Sequence, residues 1–183
     1  MKKDAIRHQN SIAAVNARFA ILVASLLAGA VALPGNSMAA DVFRPGNTTG
    51  SVVIGAGRAL DRDYTTLGAT LGYMVSEGLM LGISAHMWLG NDPSIYKIMP
   101  EIRYHFPQFG SVRPYAGAFL SRTIYDGPPD RQTYGARGGV SVPFSTNAAF
   151  NAGLVYEKIS GCDSTVFRDC GQLYSEASVM FSF

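Results

Sequence analysis

The chain has 183 residues, of which 48% are hydrophobic and 15% are charged, and its formal net charge is +2. Four of the 15 basic residues and one of the 13 acidic residues precede Asp41, so the remaining 11 and 12 give the rest of the chain a net charge of −1. The basic excess therefore belongs to the N-terminal end, which removes the main support for nucleic-acid binding. The portion that follows, about 143 residues, is long enough for one domain.

The N-terminal end has the parts of a secretory signal peptide. Basic residues lead into an apolar run of about fifteen residues, 19–33, which is shorter than the roughly 20 residues of a membrane-spanning helix. Pro34 ends the run, and Ser37 and Ala39 supply the small residues of a cleavage site. We expect cleavage after Ala39, with residues 1–39 as the signal peptide and residues 40–183 as one barrel domain.

Beyond a short extended lead, residues 41–49, the chain divides into eight segments in which apolar and polar residues alternate. They cover residues 51–59, 64–75, 79–89, 95–106, 113–125, 132–144, 148–159 and 172–183. Each is close to the length of a tilted membrane strand, and no later stretch is long enough for a membrane helix. Because only helices and closed barrels satisfy the backbone in lipid, the pattern predicts an all-β, eight-stranded antiparallel up-and-down transmembrane β-barrel.

The fourth segment shows the alternation most clearly. Tyr96, Ile98 and Ile102 share one face, whereas Lys97 and Glu101 share the other. Pro100 lacks an N–H and therefore predicts a bulge or a gap in the hydrogen-bond ladder.

The phase of the fifth segment is ambiguous, since Tyr115 and Phe119 oppose Ala118 and Leu120. Aromatic residues near segment ends predict the interfacial girdles of a membrane barrel. They are Tyr73, Tyr96, Tyr104, Phe106, Tyr115, Tyr134, Phe144, Phe150, Tyr156, Phe181 and Phe183.

One face of the segments combines charged residues with many glycines, which suits the narrow, filled lumen of an eight-stranded barrel. The predicted lumen charges are Lys97, Glu101, Arg103, Arg137, Glu157 and Glu176. Buried charges need partners, and Arg137 is expected to pair with Glu157 from the neighbouring segment. Such a plugged interior argues against a pore. The alternative is a soluble exported ligand-binding barrel of lipocalin type, whose apolar face would lie inside.

Cys162 and Cys170 lie close together in the longest loop and, in an exported chain, predict a local disulfide. No His lies near them, which disfavours a zinc site, and no cofactor is expected. Ser84 lies two positions from His86 on one face, but such pairs are usually ordinary lumen residues. A non-enzymatic role is therefore favoured, with a lipid-modifying barrel enzyme as the alternative.

The last segment alternates Val179, Phe181 and Phe183 on its apolar face and ends the sequence on an aromatic residue. This segment resembles the closing strand of bacterial outer-membrane barrels, and the resemblance implies an assembly signal read by the barrel-assembly machinery.

The whole exported portion resembles the small outer-membrane barrels of the OmpA, OmpX and OmpW type. The resemblance rests on the glycine-alternating strands, on residues 115–118 (YAGA) and on residues 181–183 (FSF). It implies the outer membrane of a Gram-negative bacterium, contact with outer-membrane lipids and lipopolysaccharide, and a structural, porin-like or surface-interaction role. We expect no peptidoglycan-binding domain after Phe183, and, because the outer loops are short, no broad adhesive surface.

Overall fold

A computed structural model describes residues 41–183 apart from gaps at 60–61, 91–93, 108, 110, 126–128 and 163–169. The predicted signal peptide lies outside the described residues. Within the described part of the chain, no helix is long and apolar enough to cross a membrane.

The described residues form eight strands, each hydrogen-bonded to the next, and the last pairs with the first to close the barrel. All neighbouring pairs are antiparallel, which confirms the predicted fold class. The strands are β1 (Thr48–Ala59), β2 (Arg62–Ser76), β3 (Leu79–Leu89), β4 (Ile95–His105), β5 (Arg113–Tyr125), β6 (Arg131–Ser145), β7 (Ala148–Ile159) and β8 (Gly171–Ser182).

Pro100 interrupts the ladder on one side only. The β3–β4 register runs through Pro100, which lies opposite Ile83. The β4–β5 pairs pass from Ile98 directly to Glu101 without a shift of register. The predicted gap is therefore found on the side of β5, where the proline has no N–H to donate.

Burial alternates residue by residue along β4, in which Lys97, Glu101 and Arg103 are buried and Tyr96 and Ile102 are exposed. The same phase runs around the barrel, so that the polar face lines the lumen and the apolar face points outward.

The ambiguous phase of β5 is resolved by the structure. Tyr115 and Phe119 point into the lumen, and Leu120 points outward and is 66% exposed. Tyr115 therefore does not belong to the aromatic girdle in which the sequence placed it. Its ring instead packs beside His105, with the two ring centroids 5.5 Å apart.

Two buried apolar clusters lie toward opposite ends of the lumen. The first, which we name the terminal cluster because it lies at the end of the barrel where β1 begins and β8 ends, comprises Val42, Phe43, Met74, Met80, Ala149 and Met180. The second, which we name the loop-end cluster, comprises Tyr64, Trp88, Ile95, Met99, Phe119, Val155 and Tyr174.

The start of the described chain departs from prediction. The expected extended lead begins with a 3-10 turn, Asp41–Phe43, and the side chains of Val42 and Phe43 are buried in the terminal cluster. The physical reason is that two adjacent apolar side chains find an unfilled apolar surface at the mouth of the barrel, which an extended lead would leave exposed.

Candidate functional site

The lumen between the two clusters concentrates the buried ionisable groups and is the candidate site. All six predicted lumen charges lie inside, and none is more than 6% exposed. Their positions follow from the alternation, because every second residue of a strand faces the same side of the sheet.

Arg137 on β6 is the centre of the main network. Its Nη1 lies 3.1 Å from Glu176 Oε1 on β8 and 3.2 Å from Glu101 Oε2 on β4. Arg103 Nη2 lies 3.0 Å from Glu101 Oε1 and supplies the second cation. Two cations thus face two carboxylates in a space almost without solvent, and each charge has an opposite charge within contact distance.

The predicted pairing of Arg137 with Glu157 is wrong. The β6–β7 register sets Arg137 opposite Val155 and sets Gly135 opposite Glu157, so the two charges are offset along the strands. Lys97 from β4 reaches Glu157 instead, with Nζ 2.5 Å from Oε2. In a narrow lumen, long side chains reach partners on non-adjacent strands. The prediction considered only partners on the adjacent strand.

Glu157 is also held by neutral donors. Thr133 Oγ1 donates to Oε1, and Gln172 Nε2 donates to Oε2 at 3.0 Å. Lys97 Nζ lies 4.2 Å from the centroid of the Trp88 ring and 5.8 Å from that of Tyr174, within the range of cation–π attraction. Sequence reasoning missed Thr133, Gln172 and Tyr174 as partners, although their inward phase could have indicated them.

A neutral hydrogen-bond chain occupies the part of the lumen near the terminal cluster. His105 Nδ1 lies 2.9 Å from Ser141 Oγ, which donates to Asn151 Oδ1 at 2.6 Å. Asn151 Nδ2 in turn donates to Ser178 Oγ at 3.1 Å. Because the hydroxyl proton of Ser141 goes to Asn151, His105 must donate to Ser141, and this arrangement does not activate the serine as a nucleophile.

Ser84 and His86, the serine–histidine pair that the sequence offered, are not joined by a hydrogen bond. Ser84 Oγ shares a 2.8 Å hydrogen bond with Thr70, and among the described residues no hydrogen-bond partner reaches either ring nitrogen of His86. The described residues also contain no group of three or more His, Cys, Asp or Glu side chains that could hold a metal ion.

Inward-facing glycines make room for the large lumen side chains. A Cβ added at Gly68 would lie 2.2 Å from His86 Cδ2, and one at Gly57 would lie 2.9 Å from Trp88 Cη2. A Cβ at Gly153 would lie 2.4 Å from the hydroxyl of Tyr115. At these three positions the glycine is therefore required by the large side chains that pack against it.

The outer surface is apolar, whereas the lumen is polar. Its exposed large side chains include Val52, Ile54, Leu67, Leu71, Leu81, Ile83, Ile98, Ile102, Leu120, Leu154 and Leu173. Exposed aromatic residues lie toward both ends of the strands: Tyr96, Tyr134 and Tyr156 toward one end, and Tyr73, Tyr104, Phe106, Phe144, Phe181 and Phe183 toward the other. An apolar band with aromatic edges is the outer surface of a barrel that faces lipid.

The predicted disulfide is confirmed. Cys162 and Cys170 are joined with an S–S distance of 2.04 Å and a Cα–Cα distance of 5.7 Å. The bond lies between the end of β7 and the start of β8, at the mouth opposite the terminal cluster.

The three residues of the predicted assembly signal all belong to the closing seam. Val179 lies opposite Val52 of β1, and the side chains of Phe181 and Phe183 are 46% and 78% exposed on the outer surface. The N–H of Phe183 donates to the Thr48 carbonyl at 3.0 Å. The seam thus continues to the last residue of the sequence.

No protein-family model and no curated protein sequence matches the chain. Among solved structures, Neisserial surface protein A matches with a TM-score of 0.56 at 18% identity, over 75% of this chain and 96% of that one. The N-terminal β-barrel domain of OprF from Pseudomonas aeruginosa matches with a TM-score of 0.56 at 18% identity, over 76% of this chain and 98% of that one. The chain therefore has the fold of the small eight-stranded outer-membrane β-barrels.

Proposed function

We propose that this outer-membrane-type barrel is an integral protein of the outer membrane of a Gram-negative bacterium, with a plugged, salt-bridged lumen and a structural or surface-interaction role. The observation that carries the proposal is the separation of the two faces. Among the described residues, large apolar side chains are exposed, whereas the six predicted charges and Arg113 are buried.

The same separation argues against a soluble exported barrel. Ile54, Leu71, Ile83 and Leu154 are each more than half exposed, and a soluble protein would present such a band to water. Soluble monomers seldom expose contiguous apolar patches beyond a few hundred Å². In lipid, the band is favourable because its apolar surface is removed from water.

The filled lumen supports a plugged state over a solute pore. The charge network of Arg137 lies between the terminal cluster and the loop-end cluster, and Lys97, which pairs with Glu157, packs on Trp88 of the loop-end cluster. A hydrated ion would have to displace paired charges, and leaving a buried charge without its partner costs about 3–5 kcal/mol.

The partners that fit this proposal are outer-membrane lipids and lipopolysaccharide at the apolar band, and the barrel-assembly machinery at β8. The exposed Phe181 and Phe183 side chains support a recognition role for β8, since they contribute little to packing within the folded barrel.

A non-enzymatic role is favoured over lipid modification because neither Ser84 nor Ser141 is placed to be activated by a histidine. Purified protein in detergent, incubated with lipid A and phospholipids, should leave both unchanged. Release of a fatty acid, or transfer of one, would replace this proposal by the enzymatic alternative.

The proposal as a whole is tested by gel mobility of the membrane fraction before and after boiling. A folded barrel should migrate faster than the heat-unfolded chain and should be found with the outer membrane. In planar bilayers the folded protein should give no sustained conductance steps. Recovery in the soluble periplasmic fraction would contradict the membrane assignment, and steady conductance would contradict the plugged lumen.

A further inference from the structure

The first described residues cross one mouth of the barrel from side to side. The N–H of Val42 donates to the Thr146 carbonyl in the β6–β7 turn at 3.1 Å. The N–H of Gly78 in the β2–β3 turn donates to the Phe43 carbonyl, also at 3.1 Å. We name residues 41–47 the N-terminal strap, because they connect two turns that do not neighbour each other in the sheet.

The strap sends two side chains into the lumen. Val42 and Phe43 are 0% and 1% exposed. The ring of Phe43 lies with its centroid 4.7 Å from that of His105, and the guanidinium of Arg113 lies 4.7 Å from the centroid of Phe43. Phe43 therefore covers the end of the neutral chain that runs from His105 through Ser141.

The strap is not part of the barrel wall. It precedes β1, and besides the two bonds above it is joined to the barrel by Gly46 N–H to the Met74 carbonyl at 2.8 Å and by Met74 N–H to the Asn47 carbonyl at 2.9 Å. Ordering seven residues costs conformational entropy, which offsets part of what these four backbone bonds and the two buried side chains contribute. Elements held in this way open locally without unfolding of the remaining structure.

We propose that the N-terminal strap is a detachable plug of the terminal mouth of the barrel. When docked, it closes the end of the lumen that holds the terminal cluster. When undocked, it leaves a blind vestibule lined by the apolar residues that remain in the terminal cluster and, deeper in the lumen, by His105, Ser141 and Asn151. Small solutes can then reach these polar groups while the charge networks beyond them stay paired. That the barrel lies in a membrane rests on the proposed function, whereas the plug itself does not.

Thiol labelling tests the plug directly. Ser141→Cys places a probe at a position that is 0% exposed, and the native cysteines do not react because they form the disulfide. The protein, isolated from membranes in detergent, is treated with a small methanethiosulfonate. Adding Phe43→Ala should raise the labelling rate at least about tenfold, because truncating a buried Phe weakens docking by more than the free energy of a factor of ten.

The matched control is Ile95→Ala, which truncates an equally buried side chain in the loop-end cluster and should leave the rate unchanged. Equal labelling of the probe with and without Phe43, in proteins that keep heat-modifiable mobility, would overturn the plug. Loss of heat-modifiable mobility in the parent protein would instead count against the proposed barrel, so the two failures are distinguishable.

Amide hydrogen exchange gives a second measurement that needs no cysteine probe. Phe43→Ala should speed exchange of the Gly78 amide at least about tenfold, because its acceptor is the Phe43 carbonyl. The Ser182 amide, bonded to the Asn147 carbonyl at the same mouth, should keep its rate. An unchanged Gly78 amide would overturn the proposal.

Discussion

Replacing Arg137 by Met should be the most damaging single change in the lumen network. Arg137 is 4% exposed, and its Nη1 contacts both Glu101 and Glu176. After the change, Glu101 keeps Arg103, whereas Glu176 loses the cation that neutralises it. Stranding a buried carboxylate in this way is expected to lower the free energy of unfolding by about 3–5 kcal/mol.

Because Arg137 contacts two carboxylates, removing Arg137 should lower the free energy of unfolding more than removing one of its partners, Glu176, does. Glu176→Gln leaves Arg137 with Glu101, so it should cost only the loss of a charged hydrogen bond, about 1.5–3 kcal/mol. The double variant Arg137→Met, Glu176→Gln should cost less than the sum of the single changes, with a coupling of about 1–3 kcal/mol. An equivalent cycle on Arg137 and Glu157 should show less coupling, because those two residues do not form an ion pair in the structure.

Urea unfolding in lipid vesicles, followed by the fluorescence of the single tryptophan, Trp88, gives the required free energies. Trp88 is fully buried in the loop-end cluster and reports loss of the barrel. Arg122→Gln is the matched control, since Arg122 is 70% exposed, pairs with Asp130 at 3.0 Å and should cost at most about 1 kcal/mol. If Arg137→Met costs no more than Arg122→Gln, the lumen is well solvated and the reasoning fails.

Gly139→Ala should destabilise the barrel by about 1–3 kcal/mol, because its Cβ would meet backbone atoms of β7 at 2.1 Å, whereas Gly138→Ala, with 3.5 Å of room, should be nearly neutral in the same urea assay. Unreduced, denatured protein should show no reactive thiol, and replacing Cys162 and Cys170 by Ser should lower stability by about 2–3 kcal/mol while heat-modifiable mobility remains. Phe183→Ala should reduce the amount of folded protein in the outer membrane of cells. It should change the stability of refolded protein little, since the ring is 78% exposed. A wild-type amount of the folded variant in the outer membrane would contradict the assembly signal.

The strands were predictable because alternation is a local property of the sequence. Predicted and observed bounds agree for Leu79–Leu89, Arg113–Tyr125 and Ala148–Ile159. The phase of β5 was not predictable from its own residues, since both of its faces carry apolar groups. The structure resolves the phase through the lumen, where Arg137 lies over the ring of Phe119 at 5.1 Å and Gly135 leaves the space that this ring needs.

The features that sequence reasoning missed depend on the closed barrel as a whole. Strand order alone suggests Glu157 as the partner of Arg137, but the register and the reach of side chains across the lumen select Glu176 and Glu101. The strap could not be foreseen from Val42 and Phe43, because the 3-10 turn that holds them, Asp41–Phe43, is too short to show a periodicity. Their burial follows only from the apolar surface that closure of the barrel creates.

Spin-label accessibility on reconstituted protein decides whether the apolar face meets lipid while the charges lie inside. Single labels at Ile98, Ile102, Leu120 and Leu154 occupy outward positions on three strands, each more than 40% exposed. In lipid vesicles, all of these labels should collide frequently with oxygen and rarely with a polar nickel complex. Ready collision with the nickel complex at these positions would show that the apolar face meets water and would contradict the account.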